Sequence, residues 1–177
     1  MKLLYSFLIL FIIAFNVNAQ EPKKTQATVL IDKLSWESLP ITCNYALVLK
    51  ETDSVSNELV KLGKPVAAEL LTAIKSPEKS AAIHVILTRI YEPKKGGLGT
   101  VYIYKCKEPV GWHYVYNGLT WQWLTEGGDS ISQPEIDKIY QYWYNKIILH
   151  KKGHLDKYEV IFERLRAEDE VQYPCEK

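Results

Sequence analysis

The chain has 177 residues, and its 22 basic and 21 acidic side chains give a formal net charge of +1. This balance argues against a nucleic-acid-binding protein, which needs a surplus of basic residues to displace counterions from phosphates. It also argues against a protein that its overall charge holds to anionic membranes. The length fits one domain with a buried core.

The N-terminus has the features of a secretory signal peptide. Lys2 precedes an apolar run from Leu3 to Phe15, and Val17-Asn18-Ala19 supplies residues that a signal peptidase tolerates. The run is short for a bilayer span, and no basic cluster follows it. We therefore predict that residues 1–19 are removed on export to the periplasm or the cell exterior. No membrane span is expected after cleavage.

Three cysteines follow this segment: Cys43, Cys106 and Cys175. An exported protein can form one disulfide from three cysteines, which leaves one thiol unpaired. A bridge would fix the otherwise loose C-terminus, so we predict that Cys175 pairs with Cys43 or Cys106. No two cysteines are close in sequence and none has a neighbouring His, so we predict neither a metal site nor a cofactor.

In the first part of the exported chain we expect a lead-in and two apolar segments. Residues 20–26 are polar and are expected to form a flexible lead-in. One domain is expected over residues 27–168, followed by a tail at residues 169–177. Ala27–Leu39 has the spacing of an amphipathic helix. Ile41–Glu51 fits either a helix or a strand, and we favour a helix because no turn signal interrupts it.

The stretch Ser54–Tyr91 predicts three consecutive helices. Gly63 ends the first helix, and Pro65 begins the second at a first-turn position that tolerates its missing N–H. Ser76-Pro77 begins the third helix as N-cap and first helical residue. Because the last connection is short, the second and third helices are expected to be antiparallel. We expect this stretch to be the packing centre of the domain.

A leucine-glycine-proline junction in this stretch precedes a short apolar helix, and Ser80-Ala81-Ala82 starts the partner helix with small residues. With these features the stretch resembles a HEAT-type helical repeat, over LVKLGKPVAAELLTAIKSPEKSAAIHVILTRI. No second copy occurs in the sequence, whereas a solenoid needs three or more units. The resemblance implies a single HEAT-like unit, a helical packing mode and protein binding. It implies no catalytic residues.

The middle of the chain predicts a three-stranded antiparallel meander from about Thr100 to Leu124. Thr100–Lys107 is rich in β-forming residues and is the first strand. Asn117-Gly118 lies between two aromatic runs and is typical of a two-residue hairpin turn. This turn fixes the register, so the expected opposite pairs are Tyr116–Leu119, Val115–Thr120, Tyr114–Trp121, His113–Gln122 and Trp112–Trp123.

Alternation along the hairpin predicts two different faces. The aromatic face carries Trp112, Tyr114, Tyr116, Leu119, Trp121 and Trp123. The polar face carries His113, Val115, Thr120 and Gln122. The aromatic rings either pack against the helices or stack on a sugar or peptide, and the rings at the open end are the more available. The candidate ligand-binding residues are Trp112, His113, Trp121, Gln122 and Trp123.

Two C-terminal helices complete the prediction. Gly127-Gly128-Asp129 is expected to end the sheet, and Ser132 with Glu135 has the pattern of a capping box at the start of the next helix. Leu155–Glu168 predicts a final amphipathic helix. The predicted fold class is therefore α+β, with a helical layer that contains the HEAT-like pair, the meander and these two helices.

The histidines do not predict a catalytic site. His84 suits a hydrogen-bonded position at the edge of a helix interface. His113 has no nucleophile or carboxylate partner that the sequence identifies. His150 and His154 could bind a metal only if the helix continued past Gly153.

The sequence contains no recognised protease, esterase or zinc-enzyme motif. We therefore predict a non-enzymatic exported protein that binds another protein through the helical pair and the neighbouring sheet. Two alternatives remain open, a carbohydrate-binding module that uses the hairpin aromatics and a small hydrolase with an unrecognised site. Nucleic acid is not an expected partner.

Overall fold

The computed structural model describes residues 24–39, 41–44, 46–49, 54–95 and 98–172. Side chains are not described at 41–44, 46–49, 98 and 169–172. The predicted signal peptide and Cys175 lie outside the described residues. Within these limits the protein is a mixed helical and sheet structure, which confirms the coarse α+β prediction.

The described helices are α1 (Gln26–Asp32), α2 (Ser54–Leu62), α3 (Ala67–Ala73), α4 (Pro77–Tyr91), α5 (Gln133–Ile147) and α6 (Tyr158–Gln172). The described strands are β1 (Ile41–Asn44), β2 (Ala46–Leu49), β3 (Leu98–Lys105), β4 (Glu108–Tyr116), β5 (Leu119–Leu124) and β6 (Gly128–Ser130). β1 and β2 form a separate antiparallel pair, and β3 to β6 form a sequential antiparallel sheet.

The helix α4 lies at the centre of the molecule. Every residue from Ser80 to Thr88 is buried, so the helix is covered on all sides, by α2, α3, α5 and β5 among the described elements. Gly63 ends α2 with a positive φ of 69°, and Pro77 is the first residue of α4, as predicted. The stretch Ser54–Tyr91 is therefore the packing centre that its apolar pattern indicates.

The segment before this centre differs from its prediction. The helix expected over Ala27–Leu39 ends at Asp32, and a 3-10 turn follows over Trp36–Ser38. The helix favoured for Ile41–Glu51 is wrong, because β1 and β2 occupy this segment. Leu39 precedes a proline and has the extended ψ of 121° that this position favours. A helix starting at Ala27 therefore cannot include Leu39.

The predicted hairpin register is confirmed at all five pairs. The turn residues Asn117 and Gly118 have φ values of 42° and 80°, as a two-residue turn of this kind requires. The sheet has four strands rather than three, because Gly128–Ser130 returns beside β5 instead of ending the sheet. Gly128 has a φ of 71°, and this left-handed conformation allows the tight return.

The predicted capping box of α5 is wrong. Ser132 is the N-cap residue, but its side chain makes no capping hydrogen bond. Glu135 turns away from the helix end, and its Oε2 accepts a hydrogen bond of 3.0 Å from the backbone N–H of Thr120 in β5. Lys138 and Arg164 also pair with this carboxylate. Donors outside the helix end thus outcompete the local capping pattern.

The helix α6 covers the polar face of the sheet and makes a second, smaller core. This core consists of Val101, Val115, Ile161 and Leu165, with Phe162 packed against it. The polar face is therefore largely buried, which alternation along the hairpin could not predict. The connection from α5 to α6 is fitted against the hairpin turn, where Leu155 lies beside Gly118.

Gly118→Ala is expected to destabilise the protein more than a matched glycine substitution. A Cβ at Gly118 would lie 2.4 Å from Cβ of Leu155, so the 155 segment would have to move. Gly128 has a similar φ of 71° but nothing within 4 Å of the added atom. Gly128→Ala therefore costs about 1–2 kcal/mol for the left-handed backbone alone, and Gly118→Ala costs roughly 1–3 kcal/mol more. Urea denaturation of both variants measures the difference, and equal losses would contradict this packing.

Candidate functional site

Three buried polar residues of α4 hold the hairpin turn. His84, Thr88 and Glu92 recur at four-residue spacing, so they lie along one side of the helix and its C-terminal cap. The Nδ2 group of Asn117 donates to Oγ1 of Thr88 at 3.1 Å and to Oε2 of Glu92 at 3.2 Å. The turn that fixes the register is thus also fixed to the central helix.

His84 is fully buried and is neutral in this position. The indole N–H of Trp143 donates to its Nδ1 at 2.9 Å, so Nδ1 carries no proton. The Nε2–H group therefore donates to the backbone carbonyls of Tyr116 at 3.1 Å and Asn117 at 3.2 Å. Burial lowers the pKa of His84 to about 4, although the two carbonyls oppose this shift. His84 is hydrogen-bonded as predicted, but it is fully buried and does not lie at the edge of a helix interface.

Glu92 is a buried carboxylate with four donors. Its Oε1 accepts from Tyr142 at 2.7 Å, from Lys95 at 3.0 Å and from Lys146, while Asn117 donates to Oε2. Burial alone would raise the pKa of Glu92, but these hydrogen bonds outweigh it and lower the pKa to about 2. Burial and the Glu92 carboxylate together raise the pKa of Tyr142. The satisfied partners indicate a structural network, not a catalytic acid.

The aromatic face divides into a buried half and an accessible half. Tyr116, Leu119 and Trp121 are buried in the main core near the turn. At the open end Trp112 and Trp123 are half-buried and stack on each other with 4.3 Å between ring centroids. The aromatics thus serve as core near the turn and as surface at the other end.

Two further tyrosines extend this accessible end. Tyr102 of β3 is the register partner of Trp112, which in turn pairs with Trp123. Tyr102 is 59% exposed and Tyr104 is 51% exposed, with 6.2 Å between their ring centroids. We call these four residues, Tyr102, Tyr104, Trp112 and Trp123, the aromatic row. It joins two exposed tyrosines to two half-buried tryptophans on one face of the sheet.

One donor in the aromatic row is unsatisfied. The indole Nε1 of Trp112 is buried and has no hydrogen-bond partner in the structure. A buried N–H without an acceptor costs roughly 1–3 kcal/mol, so such groups are uncommon in a native core.

The five predicted ligand-binding residues do not form one site. Trp112 and Trp123 belong to the aromatic row, whereas Trp121 is 3% exposed and lies in the core. His113 and Gln122 project from the opposite face of the sheet into a different cavity. Adjacent strand residues point to opposite faces, so a run of neighbouring candidates necessarily divides in this way.

The polar cavity lies between the polar face, the start of α5 and α6. Its volume is about 250 Å³, and its walls include His113, Gln122, Ser130, Glu135, Arg164 and Glu168. The carboxylate of Glu135 is engaged by the Thr120 N–H and by two cations, and Arg164 also approaches Glu168 at 3.4 Å. His113 thus shares the cavity with two carboxylates. That of Glu135 is saturated with donors and is poorly suited to act as a base, and that of Glu168 is paired with Arg164.

Other predicted features lie apart from these two regions. Cys106 is exposed and carries a free thiol in the turn between β3 and β4. The side chain of Cys43 and all of Cys175 lie outside the described residues, so the disulfide remains a prediction. His150 and His154 follow the end of α5, and no group of side chains suited to a metal ion occurs in the part of the chain that is described.

Tyr102 and Tyr104 are not among the predicted ligand-binding residues. Both alternate within the predicted strand Thr100–Lys107. Their place beside Trp112 could not be read from the sequence, because a bulge between Ile103 and Tyr104 shifts the pairing by one residue, and without it Val101 would face Trp112. No local pattern signals that His84 and Glu92 bind the turn, since the turn residues they bond lie 25 to 33 residues away in sequence.

None of the described helices is long and apolar enough to cross a membrane. Comparisons of the chain with protein-family models, with curated proteins and with solved structures found no significant match. The resemblance to a HEAT-type unit therefore stays a prediction, and so does every functional expectation. The aromatic row and the polar cavity are therefore the two candidate functional surfaces.

Proposed function

We propose that this chain is a non-enzymatic exported protein that binds another protein through the aromatic row. The observation that carries the proposal is the pair of exposed tyrosines, Tyr102 and Tyr104, beside the stacked Trp112 and Trp123. Tyrosine and tryptophan are enriched in protein interfaces and dominate their binding hot spots. Exposed aromatic clusters of this kind are otherwise unfavourable on the surface of a soluble domain.

The rigidity of the row supports this proposal. Trp112 and Trp123 are a register pair on adjacent strands, and each ring limits the movement of the other. The hairpin is anchored through Asn117 to Thr88 and Glu92 of the central helix. A surface that is already ordered loses little conformational entropy on binding, so more of the contact energy appears as affinity.

The helical layer is less suited to be the binding surface. In α4 the side chains from Ser80 to Thr88 are buried in the core. This part of the helix therefore cannot contact a partner. Of the HEAT-like pair, α4 then positions the sheet and does not itself bind. This differs from the expectation that the helical pair contributes to the binding site.

Carbohydrate binding is the alternative function for the same row. A sugar stacks on an open ring face, and Tyr102 and Tyr104 present exposed rings. The mutual stacking of Trp112 and Trp123 covers one face of each indole, which favours a protein partner over a sugar. The hydrolase alternative has less support, because Glu135 in the polar cavity is already paired with two cations.

Replacing Tyr102 by a photo-crosslinkable phenylalanine analogue tests the proposal in the intact cell envelope. A discrete crosslinked protein adduct is expected from position 102 and none from position 160, because Val160 of α6 is equally exposed at 59% but lies outside the row. Tyr104→Ser should weaken the crosslink at position 102 without loss of stability, since exposed side chains contribute within about 0.5 kcal/mol. Equal adducts at both positions, or none at 102, would refute the protein-binding proposal.

Variants at the same two tyrosines distinguish binding of a protein from binding of a carbohydrate. We expect a Tyr102→Ser/Tyr104→Ser double variant to lose about 30-fold or more in affinity for the crosslinked partner, as hot-spot residues do. A glycan array probed with the parent chain should show no signal above that of the double variant. Binding to a glycan that the double substitution abolishes would instead support the carbohydrate alternative.

A further inference from the structure

An exposed apolar pair lies beside exposed cations where α5 ends. Ile148 is 44% exposed and Leu149 is 41% exposed, and the next three residues, His150, Lys151 and Lys152, are exposed as well. We call residues 148–152 the basic turn. Consecutive large aliphatic side chains in water are unfavourable, so their position on the surface needs a physical reason.

The basic turn is held in place by its backbone. The N–H of Leu149 donates to the carbonyl of Tyr144 at 3.3 Å, and that of Lys151 donates to the carbonyl of Asn145 at 2.9 Å. His150 adopts a positive φ of 51°. Just beyond, Gly153 packs so closely on Tyr142 that a Cβ would lie 2.3 Å from the ring. The exposed aliphatic pair is therefore presented by a defined turn.

The charge around this turn is unlike that of the whole chain. Residues 148–157 contain Lys151, Lys152 and Lys157 with a single acid, Asp156, whereas basic and acidic residues are nearly balanced overall. In the described residues no salt bridge neutralises any of these three lysines. The other polar side chains of the segment include His150 and His154. The overall balance thus conceals a local cationic surface.

We propose that the basic turn docks the protein on an anionic lipid surface. Ile148 and Leu149 enter the boundary between headgroups and acyl chains, and Lys151 and Lys152 contact the lipid phosphates. Stable peripheral binding usually needs two signals, and an apolar insertion together with a cationic cluster supplies both. Lysine suits this role because its long stem packs on apolar material while its ammonium group stays among the headgroups.

The composition of the turn favours lipid over an acidic protein. Protein interfaces are depleted in lysine and are anchored by tyrosine, tryptophan and arginine, and residues 148–152 contain none of these three. The aromatic row has the composition of a protein interface and the basic turn has that of a membrane contact. The inference is independent of the proposed protein binding, because the two surfaces share no residue.

Co-sedimentation with vesicles tests the inference on the chain from Gln20, the predicted exported form. The parent chain should bind vesicles of equal parts phosphatidylglycerol and phosphatidylcholine and should not bind phosphatidylcholine alone. Lys151→Gln/Lys152→Gln should weaken binding roughly 25-fold, because each lysine near an anionic surface contributes about fivefold. Ile148→Ser/Leu149→Ser should remove the binding that persists in high salt.

Two matched variants serve as controls. Lys105→Gln/Lys107→Gln removes two exposed lysines at another turn, and Tyr102→Ser/Tyr104→Ser removes two exposed apolar side chains outside the basic turn. Both should bind vesicles as the parent does. The inference is overturned if the controls lose as much binding as the basic-turn variants, or if the parent does not bind anionic vesicles. Binding to polyglutamate but not to vesicles would also overturn it, in favour of an acidic protein partner.

Discussion

Trp143→Ala is expected to lower the free energy of unfolding by about 4 kcal/mol, as large-to-small substitutions of buried tryptophan do. Trp143 is fully buried and its ring packs against His84, Tyr91 and Tyr142. The substitution leaves a cavity in the main core and removes the donor to Nδ1 of His84. Urea denaturation measures the loss, which should be accompanied by an unchanged m-value if the native state stays compact.

Two variants separate packing from hydrogen bonding in this result. Trp143→Phe keeps most of the ring but leaves Nδ1 of His84 without a donor, and should cost about 1–3 kcal/mol. Trp123→Ala removes a tryptophan of the aromatic row, which is only half-buried, and should cost less than Trp143→Ala. If Trp123→Ala proved as costly as Trp143→Ala, the assignment of Trp143 to the core and Trp123 to the surface would be wrong.

The hairpin could be predicted to the residue because its determinant is local. Asn117 and Gly118 tolerate the positive φ angles of a two-residue turn, and the turn then fixes every pair along both strands. The same holds for α2, α3 and α4, where Gly63, Pro65 and Pro77 act on the neighbouring backbone. Interactions within a few residues are visible in a sequence.

The remaining elements depend on partners that are distant in sequence. The choice of strand over helix for β1 and β2 is made by their mutual pairing, which a segment rich in apolar residues does not reveal. β6 is three residues long and exists because β5 offers it an edge. Glu135 fits a capping box by sequence, but the Thr120 N–H and Arg164 draw its carboxylate away.

In the candidate site, too, local pattern and distant packing determine different features. The aromatic face was predictable from alternation, and the greater availability of the rings at its open end was expected as well. The burial of the half nearest the turn depends on α4 and α5, which cover it and are distant in sequence. The polar face carries His113 and Thr120, yet α6 covers it with Ile161 and Leu165. Periodicity tells which side chains share a face, and tertiary packing decides which face meets water.

Stability is expected to fall in two successive steps as the pH is lowered, and His84 causes the first. Its pKa is about 4 in the folded protein against an ordinary value of 6.5, so the unfolded state binds more protons between these values. Its neutral form stabilises the fold fully above pH 6.5, and this stability is lost as the pH falls towards 4. The shift corresponds to about 3 kcal/mol for a buried group. Urea denaturation at a series of pH values measures it.

Glu92 causes the second step, in a lower range of pH. Its pKa is about 2 in the folded protein against 4.5, so its contribution is complete above pH 4.5 and is lost as the pH falls towards 2. His84→Gln keeps a donor and an acceptor but cannot titrate, so it should flatten the profile between pH 6.5 and 4 only. Glu92→Gln should flatten the lower range only. An unchanged slope in the upper range for His84→Gln would show that another histidine causes the first step, and the buried contact between α4 and the hairpin turn would then not be the acid-sensitive point of the fold.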